Sequence, residues 1–264
     1  MKMVKVSSLL LWLGIPLFGA SAALNYFLYT QLSKYYVELN QVRLDPLGLS
    51  YYNQKPKLEE KEDVKRVVFF GDSRAADWTA PTVEAYEFIN RGVGGQTSAQ
   101  TSQRFHHHMA NLEPDIVVVQ VGINDLKAIP LMPSDRNVII DLCRANIRQI
   151  VEDSKALGAT VIISTILPVG EVPLVRKPIW SDDIAQAIYE VNGYIDSLAA
   201  DDQVIIFDSF SAIADEQGRM PVDYRKDELH LNNQGYATLN EAFVEFLTTT
   251  ELPESVNGTE IAEF

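Results

Sequence analysis

Ser73 is the residue around which the chemistry of this chain can be built. It follows an unbroken apolar run, Val67-Val68-Phe69-Phe70, and the break Gly71-Asp72, and a helix-compatible segment comes after it. A serine hydroxyl is a poor nucleophile until a base takes its proton, and a neutral imidazole suits that task near neutral pH. His230 stands three residues after Asp227, so a single turn can bring an imidazole and a carboxylate together. A carboxylate in that position holds the ring in one tautomer and stabilises the imidazolium. Acyl transfer also requires donors for the negative charge that develops on the former carbonyl oxygen. Gly95, which has no Cβ to keep a ligand away from its backbone, and Asn124, which follows a second apolar run, are candidates for that role. Each residue has a plainer reading. Asp72, Ser73, Asn124 and Asp125 are common turn and cap types, Asp227 could be a surface acid, and His230 a helix-entry residue.

The elements that must position these groups are legible as alternating segments. Strands are expected at Val67–Phe70, Glu87–Asn90, Asp115–Val121, Thr160–Leu167 and Val204–Phe207, the first and third of them buried runs of the kind parallel sheets contain. Between them, Gln96 to Leu112, residues 136–157, Asp182 to Leu198 and Asn233 to Leu247 read as helices. Alternation of this kind implies right-handed crossovers and a three-layer α/β/α sandwich around a mostly parallel sheet of about five strands. In such sheets ligands bind beyond the carboxyl ends of the strands. Ser73, Gly95 and Asn124 each follow a predicted strand, and Asp227 and His230 precede the last helix.

Taken together, four blocks resemble the SGNH hydrolase, or GDSL lipase/esterase, family: Gly71-Asp72-Ser73, Asn90-x-Gly92-x-x-Gly95, Gly122-x-Asn124-Asp125 and Asp227-x-x-His230. The resemblance covers roughly residues 65–248 and implies a flavodoxin-like α/β/α fold and ester hydrolysis through an acyl-enzyme. It makes Ser73 the nucleophile, His230 the general base and Asp227 the carboxylate that orients it. It places the oxyanion hole at the Ser73 and Gly95 backbone N–H groups and the Asn124 side-chain amide. One position departs from the eponymous motif: Arg74 stands where that motif has leucine. A long cation there is expected near the mouth of the site, and Arg74 and Trp180 are candidate substrate contacts. The α/β-hydrolase elbow G-x-S-x-G is not met, because Ala75 occupies its second glycine position.

Composition narrows the class further. A formal charge of −14 argues against nucleic acid as a partner. The single cysteine, Cys143, forbids an intramolecular disulfide and reads as a small buried hydrophobe. His106-His107-His108 is a poor metal site, since consecutive helical residues point about 100° apart, and a solvated helix face is expected there. No metal or organic cofactor is implied.

Residues 6–33 carry no charge and are preceded by Lys2 and Lys5. The most apolar part, Leu9 to Tyr29, is about 20 residues, enough to span a bilayer core, and lysines before it favour a cytoplasmic N-terminus. Ala20-Ser21-Ala22 offers a rival signal-peptidase site, but the apolar run continues through Leu24 and Tyr26–Tyr29. The expected organisation is an anchor or signal segment over 1–33, a juxtamembrane connector over 34–64, a catalytic domain over 65–250 and an acidic tail over 251–264. The catalytic domain is then extracytoplasmic, whether anchored or released as a secreted or periplasmic form. The expected substrate is an O-acyl ester of an envelope or extracellular carbohydrate. The alternatives are a lipid ester such as a lysophospholipid, an O-acyltransferase, or a catalytically inactive envelope binding protein. The sequence carries no sign of oligomeric state.

Overall fold

The structure, a computed structural model, describes residues 3–52 and 63–253. It divides into two compact units, Met1–Gly48 and Leu49–Phe264. In chain order the elements are helix α1 (Met3–Leu44), strand β1 (Lys65–Gly71), α2 (Ser73–Ala76), β2 (Tyr86–Gly92), α3 (Ser98–Gln103), α4 (Phe105–Met109), β3 (Ile116–Gln120), α5 (Ile123–Leu126), α6 (Arg136–Ala156), β4 (Thr160–Ser164), α7 (Asp183–Ser197), β5 (Val204–Phe207), α8 (Ser209–Ile213) and α9 (Asn233–Thr249).

All strand pairs are parallel, in the order β2-β1-β3-β4-β5. Alternate side chains of a strand face opposite sides of its sheet, and here both sides are apolar. Val68, Phe70, Val117, Val119, Val161 and Ile163 face one way. They join Ile140, Cys143, Ile147 and Ile150 of α6 and Ile184, Ile188 and Val191 of α7. Val67, Phe69, Ile116, Val118, Ile162 and Phe207 face the other way, against Trp78 and against Leu239, Phe243 and Leu247 of α9. The sandwich therefore has three layers.

The register aligns Gly71 with Gly92 on one side and with Gln120 on the other, so β1, β2 and β3 end level with one another. The chain leaves β1 in one direction across the sheet to β2 and returns past it to β3. This makes the β1/β3 edge the topological switch point, the usual place for a ligand in such a sheet. Gly71 is the only residue type that fits its place, because a Cβ there would lie 1.8 Å from the Gln120 carbonyl oxygen.

Two expectations need correction. The helix anticipated over Gln96–Leu112 is two short helices broken at Arg104, whose backbone closes α3 (φ −89°, ψ −1°) while its side chain turns inward. Gln96 itself belongs to the preceding loop, and α3 starts from a capping box between Thr97 and Gln100. The histidine triplet is also not a uniform solvated face: His106 and His107 are exposed, whereas His108 is buried. Its Nδ1 accepts from Arg104 Nη1 at 2.8 Å.

In the N-terminal unit, α1 runs on to Leu44, through most of the segment expected to begin the connector. Among the described residues, no helix is long and apolar enough to cross a membrane. The segment expected to do so, Leu9 to Tyr29, begins among residues whose side chains lie outside the described ones. From Trp12 onward α1 exposes large apolar side chains, including Phe18, Phe27 and Leu32. Most of the connector charge run, and the tail beyond Pro253, lie outside the described residues.

Candidate active site

Asp72 and Ser73 turn the end of β1 into α2. Asp72 is the N-cap, and its Oδ1 accepts from the Arg74 backbone N–H at 2.9 Å. Burial pushes the Asp72 carboxyl up to about 6, against the pull of the Arg74 guanidinium and the Arg74 N–H. Asn90 fastens the other end of this one-turn helix. Its amide donates to the Ala75 carbonyl at 2.7 Å, while its Oδ1 accepts from Gly92 N–H at 2.8 Å.

The Ser73 hydroxyl is thereby held 2.9 Å from His230 Nε2. On the far side of the ring, His230 Nδ1 lies 2.9 Å from Asp227 Oδ2. Asp227 and His230 share a tight turn closed by the backbone bridge between Arg225 and Leu231, and by Lys226 N–H donating to His230 O. Within that turn Asp227 Oδ1 accepts from the backbone N–H groups of Leu229 and His230, each at 2.8 Å. Partial burial opposes charge on Asp227. The two backbone donors and the imidazole outweigh it and hold the carboxyl below its ordinary value. With Nδ1–H donating to a carboxylate, Nε2 is left as the acceptor for the serine proton. The arrangement can activate a serine hydroxyl and hold the imidazolium that results.

The oxyanion candidates converge on the same edge. Gly95 has φ +76°, a left-handed backbone that disfavours a side chain. A Cβ there would meet no protein atom within 4 Å, so the space beside its backbone is open. One residue earlier, a Cβ on Gly94 would lie 3.9 Å from Ser73 Cβ, which places the loop beside the nucleophile. Asn124 is buried at the start of α5, and its Nδ2 donates to the Gln96 carbonyl at 2.9 Å. An amide nitrogen carries two hydrogens, so one remains for a second acceptor. Asp125 pins the loop from its other end, accepting from Ser98 N–H at 2.8 Å and Ser98 Oγ at 2.7 Å.

The two candidate substrate contacts are placed elsewhere. Arg74 does not stand at the mouth: it is 1% exposed, and its guanidinium donates to the carbonyls of Leu229 and Leu167, both at 2.9 Å, and of Pro168 at 3.4 Å. As the second residue of α2 it points back under the turn, where three loop carbonyls need donors. Burial lowers its pKa to about 10. Its contact with Leu229 ties the nucleophile helix to the histidine turn. Trp180 is half-buried and packs against the core below the sheet. An open cleft of about 480 Å³ does lie beside Asp227, between the loop after β4 and the histidine turn. Glu171, Lys177, Arg225, Lys226 and Glu228 line it together with Val172 and Leu174. Among the described residues no group of His, Cys, Asp and Glu is arranged to hold a metal ion.

Sequence reasoning missed the polar groups beneath the site. Arg91, Arg104 and His108 are buried there, and Tyr52, from the segment before β1, lies over them. Its hydroxyl donates to Gly92 O, and the Arg91 guanidinium sits 4.7 Å from its ring centroid. A charged residue in a short amphipathic segment reads as surface, and only the inward turn at Arg104 reveals otherwise. Burial first, then the neighbouring charges of Arg104, His107 and Arg91, lower the His108 pKa to about 4 from an ordinary 6.5. A histidine kept neutral in the fold contributes stability that is whole above pH 6.5 and is lost as pH falls toward 4. The stability advantage of wild type over His108→Gln, measured by urea unfolding, should therefore shrink across that window. An advantage constant from pH 7 to pH 4 would contradict it.

A parallel α/β/α sandwich with serine, histidine and aspartate hydrogen-bonded in series at the switch-point edge defines the class as a serine hydrolase. The GDSL-like Lipase/Acylhydrolase family profile matches residues 64–238. The chain belongs to that family, and it is an ester hydrolase. An acetylxylan esterase of Geobacillus stearothermophilus is 23% identical over 161 residues, 59% of this chain and 69% of the relative. Among solved structures, a GDSL-like lipase from Bacteroides thetaiotaomicron is 25% identical, with a TM-score of 0.58 over 72% of this chain and 91% of that one. A catalytic mutant of an acetylxylan esterase from Geobacillus stearothermophilus shares the fold at 18% identity. Its TM-score is 0.57 over 74% of this chain and all of that one.

Proposed function

We propose that this hydrolase removes a short O-acyl group, acetyl in the first instance, from a carbohydrate outside the cytoplasm. Ser73 attacks the ester carbonyl as His230 takes its proton, and Asp227 steadies the ring. The Ser73 and Gly95 N–H groups and the Asn124 amide receive the oxyanion. The imidazolium then protonates the departing sugar oxygen, which leaves as a hydroxyl, and water repeats the sequence to release the acid.

The observation that carries the substrate reading is the cleft beside Asp227. It is open, and beside the apolar Val172, Pro173, Leu174 and Val222 its lining carries charged side chains that suit hydroxyl groups and from which a long acyl chain would have to strip water. The likeness to an acetylxylan esterase supports the same direction. A chain-length series of p-nitrophenyl esters, run beside an acetylated xylo-oligosaccharide and a lysophospholipid, tests it. kcat/KM should be highest for acetyl and fall at least about tenfold by the eight-carbon chain. A rise with chain length, or turnover of the lysophospholipid in preference to the sugar, would make the protein a lipid esterase instead.

The location outside the cytoplasm rests on the uncharged stretch over residues 6–33 behind Lys2 and Lys5. Full-length protein is expected to stay with membranes through a carbonate wash. Recovery of a soluble form beginning near Ala23 would show cleavage by a signal peptidase in place of anchoring.

A further inference from the structure

We infer that Arg104 and Gln96 act as positioning residues for the oxyanion hole, joining its three donors through one buried guanidinium. This rests on the hydrolase reading of the site and is independent of which ester is cleaved. The three proposed donors come from separate stretches of chain: Ser73 after β1, Gly95 after β2 and Asn124 after β3. No covalent feature sets the distances between them. Arg104 is fully buried; it reaches the first two stretches directly and the third through Gln96. Its Nη2 donates at 2.7 Å to the carbonyl of Gly71, two residues before Ser73, and the same carbonyl accepts from Val93 N–H at 3.0 Å. Its Nη1 donates at 2.9 Å to the carbonyl of Arg91, in β2 just before the oxyanion loop. Its Nε donates to the side-chain oxygen of Gln96, the residue that follows Gly95. Gln96 passes the contact on, because its backbone carbonyl is the acceptor for the Asn124 amide at 2.9 Å.

The guanidinium suits this work because its N–H groups lie in one rigid plane, so several acceptors are held at fixed relative angles. It also stacks 4.3 Å from the Phe70 ring centroid, which fixes that plane against β1. Burial lowers its pKa to about 10, which leaves it charged at neutral pH. The Gln96–Asn124 contact decides which way the Asn124 amide turns. With one N–H committed to Gln96, the other has a defined direction, and an oxyanion donor is effective only when it is aimed before the charge forms. If Gln96 loses its hold on Arg104, the loop that carries Gly95 and the acceptor for Asn124 loses its tether to β1. Stabilisation of the transition state then suffers more than substrate binding.

The test is a double-mutant cycle on purified full-length protein with a small activated acetate ester. Arg104→Ala removes a large buried side chain and risks unfolding, so Gln96 is the better handle. Gln96→Ala keeps the backbone carbonyl but breaks the link to Arg104. It should lower kcat by about 10–100-fold with KM changed by less than about threefold. Gln96→Glu retains the acceptor for Arg104 and should recover most of the activity. In an Asn124→Ala background, Gln96→Ala should cost several-fold less than in wild type, since one of the two donors it serves is already gone. Equal losses in both backgrounds would overturn the inference, as would a Gln96→Ala variant with wild-type kcat or one whose effect lies in KM alone. An equal loss in the Glu variant, with circular dichroism unchanged, would also overturn it, because the acceptor for Arg104 would then not matter.

Discussion

Ser73→Ala and His230→Ala are each expected to reduce kcat for a small activated ester by about 10⁵–10⁶-fold, and the double variant should be scarcely worse than either. The hydroxyl and imidazole lie 2.9 Å apart and form one proton-transfer unit, so removing either disables the other. Simple addition of the two losses would mean that the groups act separately. Neither substitution is expected to harm the fold. Ser73 is only partly buried, and its loss leaves the Asp72 cap on Arg74 N–H intact. A fluorophosphonate probe should label wild type at Ser73 and leave the folded Ser73→Ala variant unlabelled. Activity that survives Ser73→Ala would remove the serine from the chemistry. A folded wild type that ignores both the probe and every short ester would do the same for the whole arrangement.

The second large effect is expected from Asp227→Asn, a loss of up to about 10⁴ in kcat with little change in KM. The reason lies in the turn itself. Asp227 Oδ1 is held by two backbone N–H donors, from Leu229 and His230. An amide introduced at this position must keep its oxygen toward those donors, which turns its NH₂ toward His230 Nδ1. The ring nitrogen that donated must then accept, so the proton moves to Nε2. Nε2 then donates and can no longer take the serine proton. The geometry survives and the tautomer does not. Crystals of the variant should therefore show the ring in place, and the Ser73 hydroxyl should lose its reactivity toward fluorophosphonate. Retention of more than about a tenth of wild-type kcat would show that the orientation of the ring is set elsewhere.

The expectation for Arg74 changed most between sequence and structure. At Arg74 a departure from the family's leucine suggested a cation for substrate. The side chain instead satisfies three loop carbonyls beneath the site, and one of them belongs to the residue before His230. Arg104 drew no notice, because a lone cation in a helical stretch ordinarily marks the wet face. Trp180 was expected at the substrate because its loop follows a strand end. It packs against the core, and the cleft beside Asp227 is lined by the earlier part of its loop, Glu171 to Leu174 and Lys177, and by residues of the histidine turn. In each case the destination of a long side chain depends on which backbone groups its neighbours leave without partners. That is a property of the assembled loops.

By itself the sequence determined the layers, the strands and the residues able to do chemistry. Apolar runs without charge can be satisfied only in a sheet covered on both faces; Ser73, Gly95 and Asn124 follow predicted strands, and the Asp227/His230 pair precedes the last helix. Single-residue chemistry and periodicity are local, so they can be read from a string. The tertiary structure decided the rest: that β1 lies between β2 and β3, so that three separate strand ends meet level at Gly71, Gly92 and Gln120. It also decided that the buried Arg104 ties the first two of those ends together. Strand order and buried polar pairing join residues far apart in the chain, and their energies exist only once the sheet has formed and water has left.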